Sequence, residues 1–537
     1  MREINPKVKE FVEKIRQAKE SEEKPITEPT FHVDEVVKSV ATFYEKIRGV
    51  IEWKEEHLIR KSAIERVLTR RLMSSDQDSL NAESFILEMI RRGHFPNDRV
   101  PESKAKAVQD ILDKYVYIIK YLQDNSKETK DVQEVIKWLV KLASSEIEYC
   151  VFPPVKERAL IDFMTDIMTE KIAISENVFG DALQRNPLTE SDKKLKIYIA
   201  CQKALFNLDD LSVSFSIIEK EYPKFLNPTP EQLQIIARNI LTIRKNINDI
   251  MNNKIQPKIY AACNKYNAIF LILYDIVLNN IEKINEILQD IPSLNSHIEK
   301  YYKERFKKLK KRIKKSSVLA TTSIFITKVS SAILFEIPID KALDEFSYIT
   351  LGINVGLPTL LMFLLVATIK LPGKENLEQI KIEISKLLFG AVKETPITIK
   401  IPTIRNKTLK YIVNVSYFFA FIITFGFIVW VLKMLHFSML SMIIFFIFLP
   451  VITFTGIKLR ERVKEIVILE EKETFATTLR DIFVMPIIEL GQKISYEWSK
   501  INALVVIFNA FIDMPFNAFV DFLDAWRNFL KERKEKL

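Results

Sequence analysis

Four long apolar stretches lie close together between residues 317 and 457, and they constrain the fold more than any other feature. The strongest, at 349–370, carries no charge before Lys370, and those at 411–432 and 437–457 carry none. Each can cross ~30 Å of hydrocarbon as a helix. The stretch at 317–337 is weaker, because Lys328 lies near its middle.

The distribution of basic residues predicts that all four stretches cross the membrane. Residues 302–315 hold nine Lys or Arg, whereas the turn at 338–347 is acidic on balance. Further basic residues, Arg460 among them, follow the last stretch. Basic residues at the ends of spans stay in the cytoplasm. We therefore expect a multi-pass protein with both termini cytoplasmic.

Composition agrees with a membrane protein that carries a large cytoplasmic region. The 537 residues allow two or three domains, and the net charge of +10 arises partly from runs beside the spans. Three cysteines without CxxC spacing indicate reduced thiols. The charged N-terminus has no apolar region, so we expect no cleaved signal peptide.

Helical periodicity without a run of strands predicts an all-α fold: a large cytoplasmic helical domain, a four-helix transmembrane region and C-terminal amphipathic helices. The predicted divisions are an amphipathic N-terminal helix (1–24), a cytoplasmic all-helical domain (31–300), a polybasic juxtamembrane helix (301–316), the spans at 317–337, 349–370, 411–432 and 437–457, a cytoplasmic loop with an amphipathic helix (371–410), and cytoplasmic amphipathic helices (458–537).

Two membrane-adjacent segments leave alternatives open. The apolar stripe from Leu377 to Leu388 fits a helix lying at the inner interface, or one packed against the soluble domain. The helix at 501–530 has one polar stripe, and it either lies at the interface or inserts. A short extended piece is expected at 395–401, where Pro396 disfavours a helix.

Two segments of the soluble region have sequence patterns that predict their structure. Thr229, Pro230 and Gln232 form the pattern of a capped helix start, with the glutamine reaching back to the cap. The apolar run at 268–278 is too short to span cleanly. We therefore expect it at the centre of the soluble region.

The basic run before the first span is the candidate contact for anionic lipid headgroups. Because the run adjoins a span, lipid phosphate is a better partner than nucleic acid, which is the alternative. The predicted contact residues are Lys307, Lys308, Lys310, Lys311, Arg312, Lys314 and Lys315.

Lys328 is the candidate polar site within the membrane. A lysine near the bilayer centre costs at least ~2.5 kcal/mol, so it faces the bundle interior or reaches the headgroups. From helix rise, we expect Lys328 to point at Asn354 of the second span, with Glu336 above it. The alternative is a shallow first span from which Lys328 reaches lipid headgroups. Gly352 and Gly356 form a Gly-x-x-x-Gly pair that predicts close helix packing.

The sequence offers no catalytic residues, no cofactor site and no metal site. Ten glycines leave little room for a phosphate-binding loop, and the five histidines are scattered. Asp162, Asp166 and Glu170 share a helix face and could hold a metal with a second helix. Their opposite face is apolar, so we interpret them as a solvated surface.

The segments AESFILEMIRRGHFPNDRVPESKAKAVQDILDKY (82–115) and DMPFNAFVDFLDAWRNFLKERKE (513–535) resemble an uncharacterised family of bacterial polytopic membrane proteins. The resemblance implies a helical protein of the bacterial inner membrane. It implies no activity, so no functional residue follows from it.

These features favour a non-enzymatic membrane-tethered scaffold with an unknown protein partner for its cytoplasmic domain. The alternative is a transporter or channel component that uses the bundle around Lys328. A membrane enzyme acting on lipid is a third class, without a motif to support it.

Overall fold

The structure is a computed structural model that describes residues 4–24, 27–33, 56–73, 81–92, 94–125, 130–174, 189–343, 347–369, 371–390, 396–399, 407–463, 466–468 and 484–492, with Phe522 and Trp526. These residues are almost entirely helical, so the all-α prediction is confirmed. The predicted helix at 501–530 lies outside them except for Phe522 and Trp526, whose rings stack.

Eleven described helices and one short strand precede the membrane region. They are α1 (Pro6–Glu23), α2 (Glu56–Met73), α3 (Ala82–Arg91), α4 (Lys104–Asn125), α5 (Lys130–Val151), α6 (Val155–Lys171), β1 (Ile172–Ile174), α7 (Glu190–Phe206), α8 (Asp210–Glu221), α9 (Pro230–Met251), α10 (Gln256–Asn279) and α11 (Ile284–Gln289). A 3-10 turn, Pro223–Phe225, separates α8 from α9.

The elements that follow include the apolar helices. They are α12 (Ile291–Ser331), a π-helical turn (Ala332–Glu336), α13 (Ile337–Ala342), α14 (Tyr348–Ala367), α15 (Lys374–Phe389), β2 (Ile397–Ile399), α16 (Lys407–Met434) and α17 (Met439–Val463). The predicted extended piece contains β2, which pairs in parallel with β1 at Ile172–Ile397 and the two residue pairs that follow.

Five of the described helices are long and apolar enough to cross a membrane, which marks the chain as a membrane protein. They are α10, the joined helix Ile291–Ala342, α14, the part of α16 from Asn414, and α17. At most 28% of the apolar stretch in each of the last four is buried within the protein, and side chains such as Ile349 and Phe427 are exposed. Helix α10 differs, because it packs among α6, α7, α12 and α15. This confirms that 268–278 lies in a protein core.

The region predicted as one soluble domain contains two hydrophobic cores. The first gathers residues of α1, α6, α7, α10, α11, α12, α15 and β2, together with Ile466 and Ile468. The second gathers residues of α2 to α5, α7, α8 and α9. Thr229 and Gln232 form the predicted capping box at the start of α9.

The first core extends across two of the predicted divisions. Helix α1 is part of this core, since Phe11 stacks on Phe163 of α6 with ring centroids 4.6 Å apart. The segment predicted as a loop at 371–410 also belongs to it, because Ile380 and Ile384 of α15 are fully buried there. The alternative that placed α15 against the soluble domain is therefore the one observed.

Helix α12 runs without a break across the predicted boundary between the polybasic helix and the first span. The two form one helix, which continues through the π-turn to Ala342 over 52 residues, roughly 78 Å at 1.5 Å per residue. One buried stripe runs along this helix from the first core into the membrane region. It contains Leu309, Ile313, Ser317, Ile324, Lys328, Ala332 and Glu336.

Helices α12, α14 and α17 pack against one another and form the centre of the membrane bundle. Helix α16 lies at its edge and meets α17 through the rings of Phe425 and Phe446, 5.6 Å apart. Residues 484–492 belong to the segment predicted as cytoplasmic C-terminal helices, and Gly491 packs beside Pro450 of α17. The hydroxyl of Tyr417 on α16 donates to Glu489 of this segment at 2.7 Å.

Candidate functional site

The candidate site lies inside the membrane bundle and begins with an ion pair on one helix. Lys328 and Glu336 are fully buried, and Lys328 Nζ lies 2.5 Å from Glu336 Oε1. Eight residues of a regular α-helix turn the chain by roughly 800°, which leaves the second side chain about 80° away from the first. The π-turn at Ala332–Glu336 holds about one extra residue and reduces this difference to roughly 20°. The π-turn therefore brings both charges to one face.

Two neighbouring helices complete the polar network around Glu336. The amide Nδ2 of Asn354, on α14, donates to Glu336 Oε2 and to Ser441 Oγ, the latter at 2.9 Å. The hydroxyl of Ser441, on α17, donates to Glu336 Oε2 at 3.0 Å. Because Asn354 and Ser441 are almost fully buried, the network joins three helices away from lipid.

The structure brings together the residues proposed around Lys328 and adds one that the sequence did not single out. Lys328 points into the bundle, and Glu336 lies between it and Asn354. Its Nζ also lies 5.7 Å from the centre of the Phe448 ring. Ser441 was missed, although a serine in a stretch otherwise rich in Phe, Ile and Met is the signal that could have identified it.

Apolar residues lie on one side of this network, and a further carboxylate lies on the other. An apolar cluster joins the three helices on the side of the network nearer the soluble domain, formed by Ile324, Met362, Ile452 and Leu459. On the opposite side, Asp340 Oδ1 is buried and has no hydrogen-bond partner among the described residues. The polar groups therefore continue from Lys328 away from the first core, whereas the apolar cluster lies between Lys328 and that core.

The Gly-x-x-x-Gly prediction is wrong for packing within the described chain. A Cβ atom added at Gly352 or Gly356 would meet no atom within 4 Å, because both residues face outward from the bundle. Close approach occurs elsewhere. A Cβ at Gly456 would lie 3.1 Å from Leu365 Cδ1, and one at Gly491 would collide with the carbonyl oxygen of Pro450.

The seven predicted lipid-contact residues form the outer surface of α12 where it leaves the first core. Leu309 and Ile313 on the opposite face are buried. The side chains of Lys307, Lys308, Lys310, Lys311, Arg312, Lys314 and Lys315 are exposed. The helix thus presents a basic face outside the core and an apolar face within it.

A second buried polar cluster lies in the second core, where the sequence gave no signal for it. Lys114 Nζ donates to Glu146 Oε1 at 2.5 Å and to the carbonyl oxygens of Phe225 and Leu226. Tyr115 donates to the other oxygen of Glu146 at 2.8 Å. Burial raises the pKa of Glu146 and lowers the pKa of Lys114. Since every donor of Lys114 is used, the cluster joins helices and leaves no group for a substrate.

The carboxylates considered as metal ligands each face a lysine instead. Asp166 pairs with Lys194 at 2.8 Å, and Glu170 pairs with Lys7 at 2.6 Å. Burial raises the pKa of Asp162, against the opposing effect of Lys220 and Lys14. Among the described residues no group of three or more His, Cys, Asp or Glu side chains could hold a metal ion.

Comparison with known proteins gives no indication of function, so the geometry alone supports a functional proposal. No family model, curated protein or solved structure matches the chain.

Proposed function

We propose that the chain is a non-enzymatic membrane-tethered scaffold, which holds a partner-binding helical domain at the cytoplasmic face of the bacterial inner membrane. One observation carries this proposal: a single helix, Ile291–Ala342, belongs both to the first core and to the membrane bundle. A domain joined in this way has a fixed height and orientation relative to the bilayer. Such an arrangement suits presentation of a binding surface.

Charge supports the proposed orientation, with both termini in the cytoplasm. Exposed lysines and arginines precede the first span, and Lys458, Arg460 and Arg462 follow the last. The segments before the first span, between the second and third, and after the fourth all contribute to the first core, which supports a common side of the bilayer for all three. By the distribution of basic residues, that side is the cytoplasm.

The basic face of α12 supports anionic lipid as a further partner. Its exposed lysines and arginines directly precede the first span, at the level where headgroup phosphates lie. Each contributes up to ~1 kcal/mol of attraction to an anionic surface. Proximity to the membrane disfavours nucleic acid, and we propose a protein as the partner of the helical domain.

A transporter or channel component is the second candidate, favoured by the buried pair of Lys328 and Glu336. Ionisable residues within spans mark ion paths in many membrane proteins. The apolar cluster of Ile324, Met362, Ile452 and Leu459 opposes this function, because it separates the pair from the cytoplasmic side. The scaffold is therefore the better-supported proposal.

The two candidates differ in flux and in stable partners. The whole chain is the unit to test, because the first core includes α15 and β2, which a fragment ending at residue 300 lacks. Purified chain in liposomes, under imposed proton, sodium and potassium gradients, should show no flux above that of empty liposomes. Cross-linking in native membranes from exposed Ile235 or Leu241 on α9 should yield one reproducible protein partner.

Flux above the empty-liposome level that Lys328→Leu abolishes would contradict the scaffold and support transport. A matched control, Thr327→Val, changes the exposed neighbour of Lys328, and it should leave both the flux and the cross-linking as in the wild type. Absence of any reproducible cross-link from α9 would contradict a protein partner bound at its exposed apolar residues Ile235 and Leu241.

A further inference from the structure

The inner ends of α12 and α17 meet at Ser316 and Arg462. Arg462 Nη1 donates to Ser316 Oγ at 2.9 Å. Ile313, one turn from Ser316, and Val463, next to Arg462, belong to the first core, while Leu459, one turn from Arg462, belongs to the apolar cluster of the bundle. The contact thus lies where the soluble domain ends and the membrane bundle begins, which is the level of lipid headgroups.

Ser317, next to this contact, has unused hydrogen-bonding capacity. Its side chain is 6% exposed, and its Oγ has no hydrogen-bond partner in the part of the chain that the structure describes. A buried hydroxyl without a partner is costly, which calls for a polar group nearby. The guanidinium of Arg462 has five N–H donors, and its contact with Ser316 uses one of them.

The surrounding charge favours an anion with several acceptor oxygens. Lys314 and Arg460 are exposed at the same boundary, and Lys458 Nζ lies 3.0 Å from Glu461, the acidic neighbour in α17. Positive charge exceeds negative charge here. Arginine binds phosphate through two parallel hydrogen bonds, and serine hydroxyls donate to the remaining oxygens. The chemistry therefore fits a phosphate group.

An apolar side chain beside the polar groups favours a lipid as the source of that phosphate. Leu319 lies one turn beyond Ser316 on the same face of α12, and it is 50% exposed. A free phosphate gains no binding free energy from an apolar surface. An acyl chain that lies against this surface is removed from water, which is favourable. We propose that Arg462, Ser316 and Ser317 bind the phosphate of an anionic phospholipid whose acyl chain runs along Leu319. This site rests on the proposed placement of these helix ends at the membrane surface.

The test uses delipidated full-length chain in detergent, with the midpoint of thermal unfolding measured against added lipid. Phosphatidylglycerol should raise the midpoint in a saturable way, and phosphatidylcholine or inorganic phosphate at the same concentration should not. Arg462→Gln should weaken the apparent affinity roughly tenfold or more, as expected for loss of charged hydrogen bonds. Arg238→Gln, an exposed change in α9, is the matched control and should bind like wild type.

Ser317→Ala separates a lipid contact from a structural role. Because Ser317 Oγ has no partner within the described chain, its removal should leave the lipid-free midpoint unchanged or higher. The same variant should bind phosphatidylglycerol more weakly. Equal shifts in wild type and Arg462→Gln, or an equal shift with inorganic phosphate, would overturn the lipid site. Neither result depends on flux or on a protein partner, so failure of this site and failure of the scaffold are distinguishable.

Discussion

Lys328 Nζ lies 2.5 Å from Glu336 Oε1, although eight residues separate the two on one helix. The π-turn that brings them to one face lies inside the bundle, and Asn354 and Ser441 hold Glu336 from the other two helices. Removing one partner of a buried pair is costly, whereas replacing both by apolar groups is often neutral, so such a pair is weak evidence of added stability. We therefore interpret the network as the element that sets the register of α12, α14 and α17.

Removing one member of the pair should cost more than removing both. Lys328→Met leaves Glu336 buried without its cation, and we expect the free energy of unfolding in mixed micelles to fall by about 3–5 kcal/mol. Lys328→Met combined with Glu336→Met should lose less than Lys328→Met alone. Thr327→Val, an exposed change, is the control. Losses that simply add in the double variant would show that the two side chains do not interact.

The two kinds of glycine should respond oppositely to alanine. Gly352→Ala and Gly356→Ala meet no atom, so they should leave the bundle unchanged or stabilise it by up to about 1 kcal/mol through helix propensity. Gly491→Ala would collide with the carbonyl oxygen of Pro450, so it should detach residues 484–492 from α17. Proteolysis near residue 491 in detergent measures this. A protease-resistant Gly491→Ala variant would contradict the packing.

The soluble region should become less stable in acid through Asp209. Burial favours its neutral form, but Lys61 and the hydrogen bonds from Ser212 outweigh burial and hold the pKa of Asp209 below its usual value. The stabilisation is therefore present above the unfolded pKa, about 4, and is lost as pH falls through the folded pKa. Because the Asp209 side chain is 36% exposed and solvent screens its charge, Asp209→Asn should lower the free energy of unfolding by only about 1–2 kcal/mol at pH 7, and the difference from wild type should shrink below about pH 4.

The control for this prediction is the neighbouring exposed acid. Asp210 pairs with Lys203 at 2.7 Å, and its side chain is 72% exposed. Solvent screens such a pair, so Asp210→Asn should cost no more than about 1 kcal/mol. A difference between wild type and Asp209→Asn that does not change with pH would contradict the role assigned to the charge.

Membrane orientation is tested by labelling cysteines in intact cells. With Cys150 replaced by Ser, a membrane-impermeant maleimide should label Leu343→Cys, which follows α13 and is 61% exposed. It should label Ile382→Cys, exposed on α15, only after permeabilisation. Buried Cys201 and Cys263 should stay unlabelled in both variants. Labelling of Ile382→Cys alone from outside would reverse the proposed topology.

Local features of this chain were predictable from sequence, and long-range ones were not. The cap at Thr229 and the environment of Lys328 follow from neighbouring residues and from the cost of charge in lipid. The first core joins segments such as Asn5 and Leu388, whose backbones share a hydrogen bond of 2.8 Å. Periodicity shows which face of a helix is apolar but not which helix covers it. The residue composition of Ala332–Glu336 does not predict the π-turn. The turn forms together with the long-range pairing of Lys328 and Glu336, which composition does not reveal.

The central claim is that the soluble domain and the membrane bundle share one continuous helix. Spin labels at Glu304 and Thr322, both exposed on α12, lie on either side of the membrane boundary. Their separation of eighteen residues corresponds to roughly 27 Å in a continuous helix. With the native cysteines replaced, electron–electron double resonance in nanodiscs should give a single narrow distance distribution near ~27 Å. A broad or multiple distribution would show a hinge at the boundary and contradict the rigid tether.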